Sequence, residues 1–170
     1  MSESIPSDYY GSAPDSSSVP AALPKDTRTI ESIIEASYAC ISGAAGVPRA
    51  WDRMFSLFLP EAHSIRTGRL PDGSTGYRIM RNAEYRDQMN DWLVENGFFE
   101  REIHRVVERY GNIAQVFSTY ESRHKEDDPQ PFMRGINSFQ LLYDGRRWWI
   151  VNILWQHESP DMPLPPQYLP

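Results

Sequence analysis

Two β-rich runs flank Asp144-Gly145 in RGINSFQLLYDGRRWWIVNILWQ, residues 134–156, and this stretch constrains the fold more than any other. Asp-Gly between apolar runs is a strong hairpin signal, because the tight turn needs backbone angles that Gly adopts freely and Asp tolerates. A two-residue loop sets Tyr143 opposite Arg146, Leu141 opposite Trp148, Phe139 opposite Ile150 and Asn137 opposite Asn152. One face then carries Asn137, Phe139, Leu141, Trp148, Ile150, Asn152 and Leu154. The other carries Ile136, Ser138, Gln140, Trp149, Val151, Ile153 and Trp155. Both faces are largely apolar, so both should be covered. A bulge between Trp148 and Trp155 would exchange the later residues between faces.

The rest of the chain supplies helices first and strands afterwards. Residues 1–25 are rich in Ser, Pro, Asp and Tyr with few aliphatics, which predicts a disordered tail. A first helix starts near Asp26 or Thr27, either of which can cap it, and buries Ile30, Ile33, Ile34, Ser37, Tyr38 and Ile41. A second begins at Pro48 with Trp51, Met54, Phe55 and Phe58 as its stripe, and Pro60 stops it. Short strands at His63–Thr67 and Tyr77–Met80 flank a Pro-Asp-Gly turn. A third helix runs from Ala83 to Asn96, capped by Asn82 and closed by Gly97. The period then changes to two. Phe98–Tyr110 and Ile113–Arg123 read as strands joined at Gly111-Asn112, and the opening hairpin follows. Helices followed by strands indicate α+β, with one domain over 26–158 and a proline-rich tail over 159–170.

At 170 residues the chain can bury a sizeable single core. Its net charge of −6 argues against non-specific binding to nucleic acid or anionic membrane. No apolar run is long enough to span a bilayer, and the N-terminus lacks the pattern of a secretory signal. The one cysteine, Cys40, excludes an intrachain disulfide and fits a reducing cytoplasm.

Three stretches, YACISGAAGVPRAWDRMFSLFLPEA, GNIAQVFSTYESR and RGINSFQLLYDGRRWWIVNILWQHES, resemble the nuclear transport factor 2-like superfamily, in particular its SnoaL-like bacterial members. The resemblance spans residues 28–170 and implies a cone: a bent antiparallel sheet wrapped around about three N-terminal helices, with a cavity at the wide end. It also implies a homodimer through the outer face of the sheet, where Trp149 and Trp155 are expected. Such proteins use the cavity for isomerisation, dehydration, cyclisation or binding alone.

Candidate residues follow from the chemistry each use requires. A ketosteroid-isomerase-like site needs a carboxylate base near the end of the first short strand, where LFLPEAHSIRTG offers Arg66 instead. A dehydratase or cyclase pairs a His with a carboxylate, and Glu102 and His104 share one side of a strand, with His63 as a second candidate. In a strand rich in Glu and Arg, His104 reads first as a solvated or dimer-interface residue. Asn137 and Asn152 form a cross-strand amide pair beside Trp148, suited to holding each other or a ligand. Tyr38 offers a phenol from the first helix, and Tyr120 one at the mouth or in the core. Trp51 and Trp92 read as core or lid before binding aromatics, with Trp51 and Trp148 kept as candidate ligand-binding residues. Arg66, Arg69, Arg78 and Arg81 surround the first short hairpin, either as plain surface or as an anion-attracting rim. No phosphate loop, paired-cysteine metal motif or nucleophile elbow is present, and the histidines are scattered, so neither metal nor cofactor is expected. The expected partner is a small apolar or aromatic molecule. The competing expectations are a cofactor-independent lyase, isomerase or cyclase, and a protein-interaction module.

Overall fold

Six strands form one open, curved sheet in the order β2-β1-β6-β5-β4-β3. The computed structural model describes residue 6 and residues 8–170. Helices α1 (Pro24–Thr27), α2 (Ile30–Ile41) and α3 (Trp51–Phe55) precede strands β1 (Phe58–Arg69) and β2 (Thr75–Arg81). Helix α4 (Asn82–Asn96) leads into β3 (Phe99–Tyr110), β4 (Ile113–Arg123), β5 (Met133–Tyr143) and β6 (Trp148–His157). Neighbouring strands are antiparallel except β1 and β6, which run parallel. The architecture is the expected α+β cone. Of the tail read over residues 1–25, residues 1–5 and 7 lie outside the described residues, and Pro24 and Lys25 belong to α1.

Local chemistry explains where the helices begin and end. The cap of α2 is Thr29, whose hydroxyl accepts from the Ser32 amide at 3.1 Å while the Ser32 hydroxyl accepts from the Thr29 amide at 3.1 Å. Asp26, an expected cap, instead receives the Arg53 guanidinium through two bonds of 2.7 and 2.9 Å, which tie α1 to α3. Helix α3 is shorter than its apolar stripe predicts. Phe58 pairs with Ile150, and the Ile150 amide donates to the Leu57 carbonyl at 2.9 Å, so β6 captures the chain before Pro60. The β1–β6 register then shifts between Phe58 and His63, the kind of irregularity a proline in a strand requires.

Two bulges decide which side chains face inward. In β6, Leu141 pairs with Ile150 and Gln140 with Asn152, leaving Val151 unpaired. The hairpin register therefore differs from the expected one: Tyr143 faces Trp148, Phe139 faces Ile153 and Asn137 faces Trp155. Its loop has four residues rather than two, because the Asp144 carboxylate accepts from the amides of Arg146 and Arg147, both at 2.8 Å. In β3, Glu102 pairs with Tyr120 and His104 with Thr119, leaving Ile103 unpaired.

The core lies between the inner face of the sheet and α2. Ile33, Ile34, Val116, Leu141 and Ile150 are sealed within it, and Trp148 joins them. Each such side chain contributes about 1.5–3 kcal/mol by leaving water. Trp149 faces away from that core yet is only 1% exposed. Its indole donates to Asp144 at 2.7 Å, and the Arg147 guanidinium lies 3.7 Å over the ring. The hairpin's own loop covers it, so it is not the exposed patch expected for a partner. At the C-terminal end, the Thr119 hydroxyl donates to the Tyr168 carbonyl at 2.7 Å, and the Tyr168 ring lies 5.5 Å from that of Phe117.

Candidate functional site

A cavity of about 470 Å³ opens between the inner face of the sheet and helices α2 and α4. Its walls are mainly apolar and aromatic, with Met54, Phe58, Phe98, Phe139, Ile153 and Trp155 among them. Such a cavity is within the size range of small-ligand sites, in which a few polar groups set orientation.

The polar groups form two clusters. The first begins at Asn137 on β5, which pairs with Ser118 in the register of β4. The Asn137 amide donates to the Tyr38 hydroxyl at 3.1 Å. Tyr38 in turn lies 2.7 Å from the Ser118 hydroxyl, and Ser118 donates to Glu102. Because Ser118 spends its proton on Glu102, it accepts from Tyr38, so the chain of donors runs in one direction. Arg105 closes the chain at 2.7 Å from Glu102.

Glu100 stands beside this chain and lines the cavity. One carboxyl oxygen accepts from Ser122 at 2.9 Å, and the other lies 3.5 Å from the Asn137 amide. Among the described residues no cation forms an ion pair with it. Burial pushes its pKa up to about 7, and the bonds from Ser122 and Asn137 only partly offset that rise. The phenols of Tyr38, Tyr85 and Tyr120 are raised far above their ordinary value, mainly by burial and then by the Glu100 charge. They therefore remain protonated donors. The cavity thus presents a carboxyl able to take or give a proton near neutrality, beside phenols that do not ionise.

The second cluster lies where β1 and β6 reach the cavity mouth. Ser64 and Arg66 line the cavity, joined by Tyr85, Trp155 and His157. The Tyr85 and Trp155 rings meet edge to face at 5.8 Å. Burial and then the Arg66 charge lower the pKa of His157. Elsewhere on the wall, Trp92, Phe98 and Phe132 form an aromatic group, with His124 stacked on Phe132 at 4.1 Å.

Of the expected binding residues, Tyr38, Arg66, Tyr120 and Asn137 line the cavity. Trp51, Trp148 and Asn152 do not. Trp51 donates to Asn90 at 2.7 Å, and Trp148 belongs to the sealed core. The Val151 bulge turns Asn152 outward, where it pairs with Gln140 and His63, and brings Trp155 inward. The amide pair expected between Asn137 and Asn152 therefore does not form, and Trp155 is not on the outer face. The expected catalytic residues His104, Glu102 and His63 are not brought together. The Ile103 bulge puts His104 on the Thr119 side, opposite Glu102, while His63 faces away from Ser64 and Arg66. Glu102 reaches the cavity only through Ser118 and Tyr38. Glu100, Tyr85 and His157 are the residues that sequence reasoning passed over. Glu100 carried a signal: it shares a side with Glu102 and follows Phe98-Phe99, an apolar entry that buries the start of the strand. Among the described residues, no group of three His, Cys, Asp or Glu is placed to hold a metal ion, and no helix is long and apolar enough to cross a membrane.

Solved structures share this architecture. One, with a cystatin-like fold and unknown function, comes from Nostoc punctiforme: 12% identity, TM-score 0.56, covering 81% of this chain and 98% of that one. A candidate scytalone dehydratase from Novosphingobium aromaticivorans has 13% identity and a TM-score of 0.55, covering 78% and 83%. A nuclear transport factor 2-like protein of unknown function from Silicibacter pomeroyi has 16% identity and a TM-score of 0.50, covering 77% and 94%. No family model and no curated protein matches the chain. The chain shares the fold of these cystatin-like and nuclear transport factor 2-like structures.

Proposed function

We propose that this chain is a SnoaL-like cone protein that binds a small, mostly apolar molecule in its cavity. The observation that carries the reading is the aromatic-walled space of about 470 Å³ lined by Glu100, which has no cation partner among the described residues. A buried carboxyl of that kind is costly unless a ligand or a proton satisfies it. The ligand's apolar body would pack against Phe98, Phe139 and Trp155, and a hydroxyl or carbonyl would meet Glu100 and the Tyr120 phenol. A thermal-shift screen with hydrophobic ligands tests this. A ligand at a hundred times its Kd adds about 2.7 kcal/mol to stability, several degrees in Tm for a chain of this size. No shift with any ligand of this size would sink the reading.

A cofactor-independent lyase or isomerase is the second reading, and the pKa of Glu100 near 7 favours it. Glu100 and His157 replace His104 and His63 in that role. The likeness to a candidate scytalone dehydratase fits this class of chemistry, although it bears on the fold alone. The distinguishing measurement is turnover of any ligand the screen finds, with Glu100→Gln abolishing turnover and retaining binding. Cytoplasmic location and a homodimer through the outer sheet face belong to the same proposal. There the half-exposed Leu154 and Val106 take the place of Trp149 and Trp155. Sedimentation of the purified chain tests the dimer.

A further inference from the structure

Four arginines surround the β1–β2 hairpin, and their pairing separates them. Arg69 is taken by Asp161 at 2.9 Å. Arg81 pairs with His63, on the side that faces away from the cavity. Arg66 and Arg78 remain, directly opposite each other across the two strands. Residues directly opposite share a side, and Arg66 lines the cavity, so Arg78 leaves the sheet on that same side, next to it on the neighbouring strand. Neither takes part in any side-chain hydrogen bond or ion pair among the described residues. Like charges on directly opposite residues repel, and nothing among the described residues pairs with either.

The charge of Arg66 is directed at the mouth. It acts on His157 and on Tyr85, both of which line the cavity. It forms no ion pair with Glu100, so the cavity's own acid is not its partner. Beside it are a phenol that stays protonated and the indole of Trp155, its neighbour on β6. A guanidinium fork matches a carboxylate in shape, and a planar aromatic acid would meet the Tyr85 and Trp155 rings at the same point.

We propose that Arg66 and Arg78 form a carboxylate clamp at the cavity mouth, so that the ligand is an apolar organic acid whose body fills the aromatic interior. This rests on the reading that the cavity binds a small molecule, and it adds the ligand's charge and its direction of entry. The matched probes are naphthalene-2-carboxylate and its neutral amide, with affinities read from quenching of tryptophan fluorescence at pH 8 and low salt. The carboxylate should bind at least tenfold more tightly than the amide. That ratio should fall close to one in Arg66→Gln/Arg78→Gln and shrink as salt is raised. Arg66→Lys should keep part of the preference, since charge survives and the fork is lost. Binding of both probes with equal affinity would overturn the clamp and leave the cavity reading intact. A preference that persists in the double variant would also overturn the clamp. Absence of binding by either probe would overturn both.

Discussion

Glu100 and Glu102 stand two residues apart on one strand and face the same side of the sheet, yet they are held in opposite ways. Glu102 meets Arg105 at 2.7 Å and receives the Ser118 hydroxyl. Glu100 has one good bond, from Ser122, and no cation pairs with it among the described residues. The first carboxylate has its charge answered within the chain, so it serves structure. The second is left for protons and ligands to answer, and it is the one that reaches the cavity. Proximity along a strand therefore says little about role; the partners decide it.

The contrast breaks most visibly when the cation is removed. Arg105→Ala strands Glu102 beside the buried Ser118, and both members of the ion pair are more than four-fifths covered. Losing one partner of such a pair costs about 3–4 kcal/mol. Urea unfolding at pH 7 measures it. A loss below about 1 kcal/mol would mean that water reaches Glu102 and that the contrast is overstated.

Glu100 should respond to pH instead. Its folded pKa of about 7 is above its ordinary value of 4.5. Between those values the folded chain keeps a proton that the unfolded chain has released. Stability from this group is thus fully present below pH 4.5 and is lost as pH rises to about 7, by about 3 kcal/mol in total. Glu100→Gln removes the titration. Against the parent, the variant should gain up to about 3 kcal/mol at pH 8 and change little at pH 4.5. A difference between the two proteins that does not vary with pH would refute the placement of Glu100.

Little of this contrast was legible in the sequence, although most of the fold was. Strand β4 occupies the residues its alternation predicts, Ile113–Arg123, because every residue from Ile113 to Ser122 finds a partner in β5. The faces of β3 and β6 were not legible beyond Ile103 and Val151. A bulge inverts the alternation of all later residues, and neither position carries a glycine or proline to mark it. His104 thus seemed to join Glu102, and Asn152 seemed to join Asn137. The hairpin loop is longer than Asp144-Gly145 alone predicts, again because of contacts that the residue pattern does not mark. The Asp144 side chain bonds two backbone amides and the Trp149 indole, and those contacts stabilise a longer loop. Tyr38, Tyr120 and Asn137 lie before the β6 bulge and outside β3, so their predicted placement on the cavity side holds.

A steric change tests the Glu100 side without altering a charge. A Cβ at Gly135 would lie 2.4 Å from the Gln156 carbonyl and 2.5 Å from the Tyr120 hydroxyl. Gly135→Ala should therefore destabilise by about 2 kcal/mol and push the phenol toward the cavity. Thermal unfolding gives the first effect, and weaker binding of any cavity ligand gives the second. Full stability would mean that β5 and β6 can separate there at no cost.

The smallest effect concerns Tyr38, which joins the two acids. Tyr38→Phe removes the proton given to Ser118 and the lone pair offered to Asn137. Ser118 still donates to Glu102, so the ion-paired end should hold, and the loss should be only about 1 kcal/mol. The informative readout is at the other end. Asn137 donates to both Tyr38 and Glu100, the latter at 3.5 Å. Freed from Tyr38, its amide can close on Glu100 and favour the ionised carboxylate. The pH at which stability falls should then shift to lower values in Tyr38→Phe. An unshifted pH profile would mean that the two acids, though linked through Asn137 and Tyr38, titrate independently.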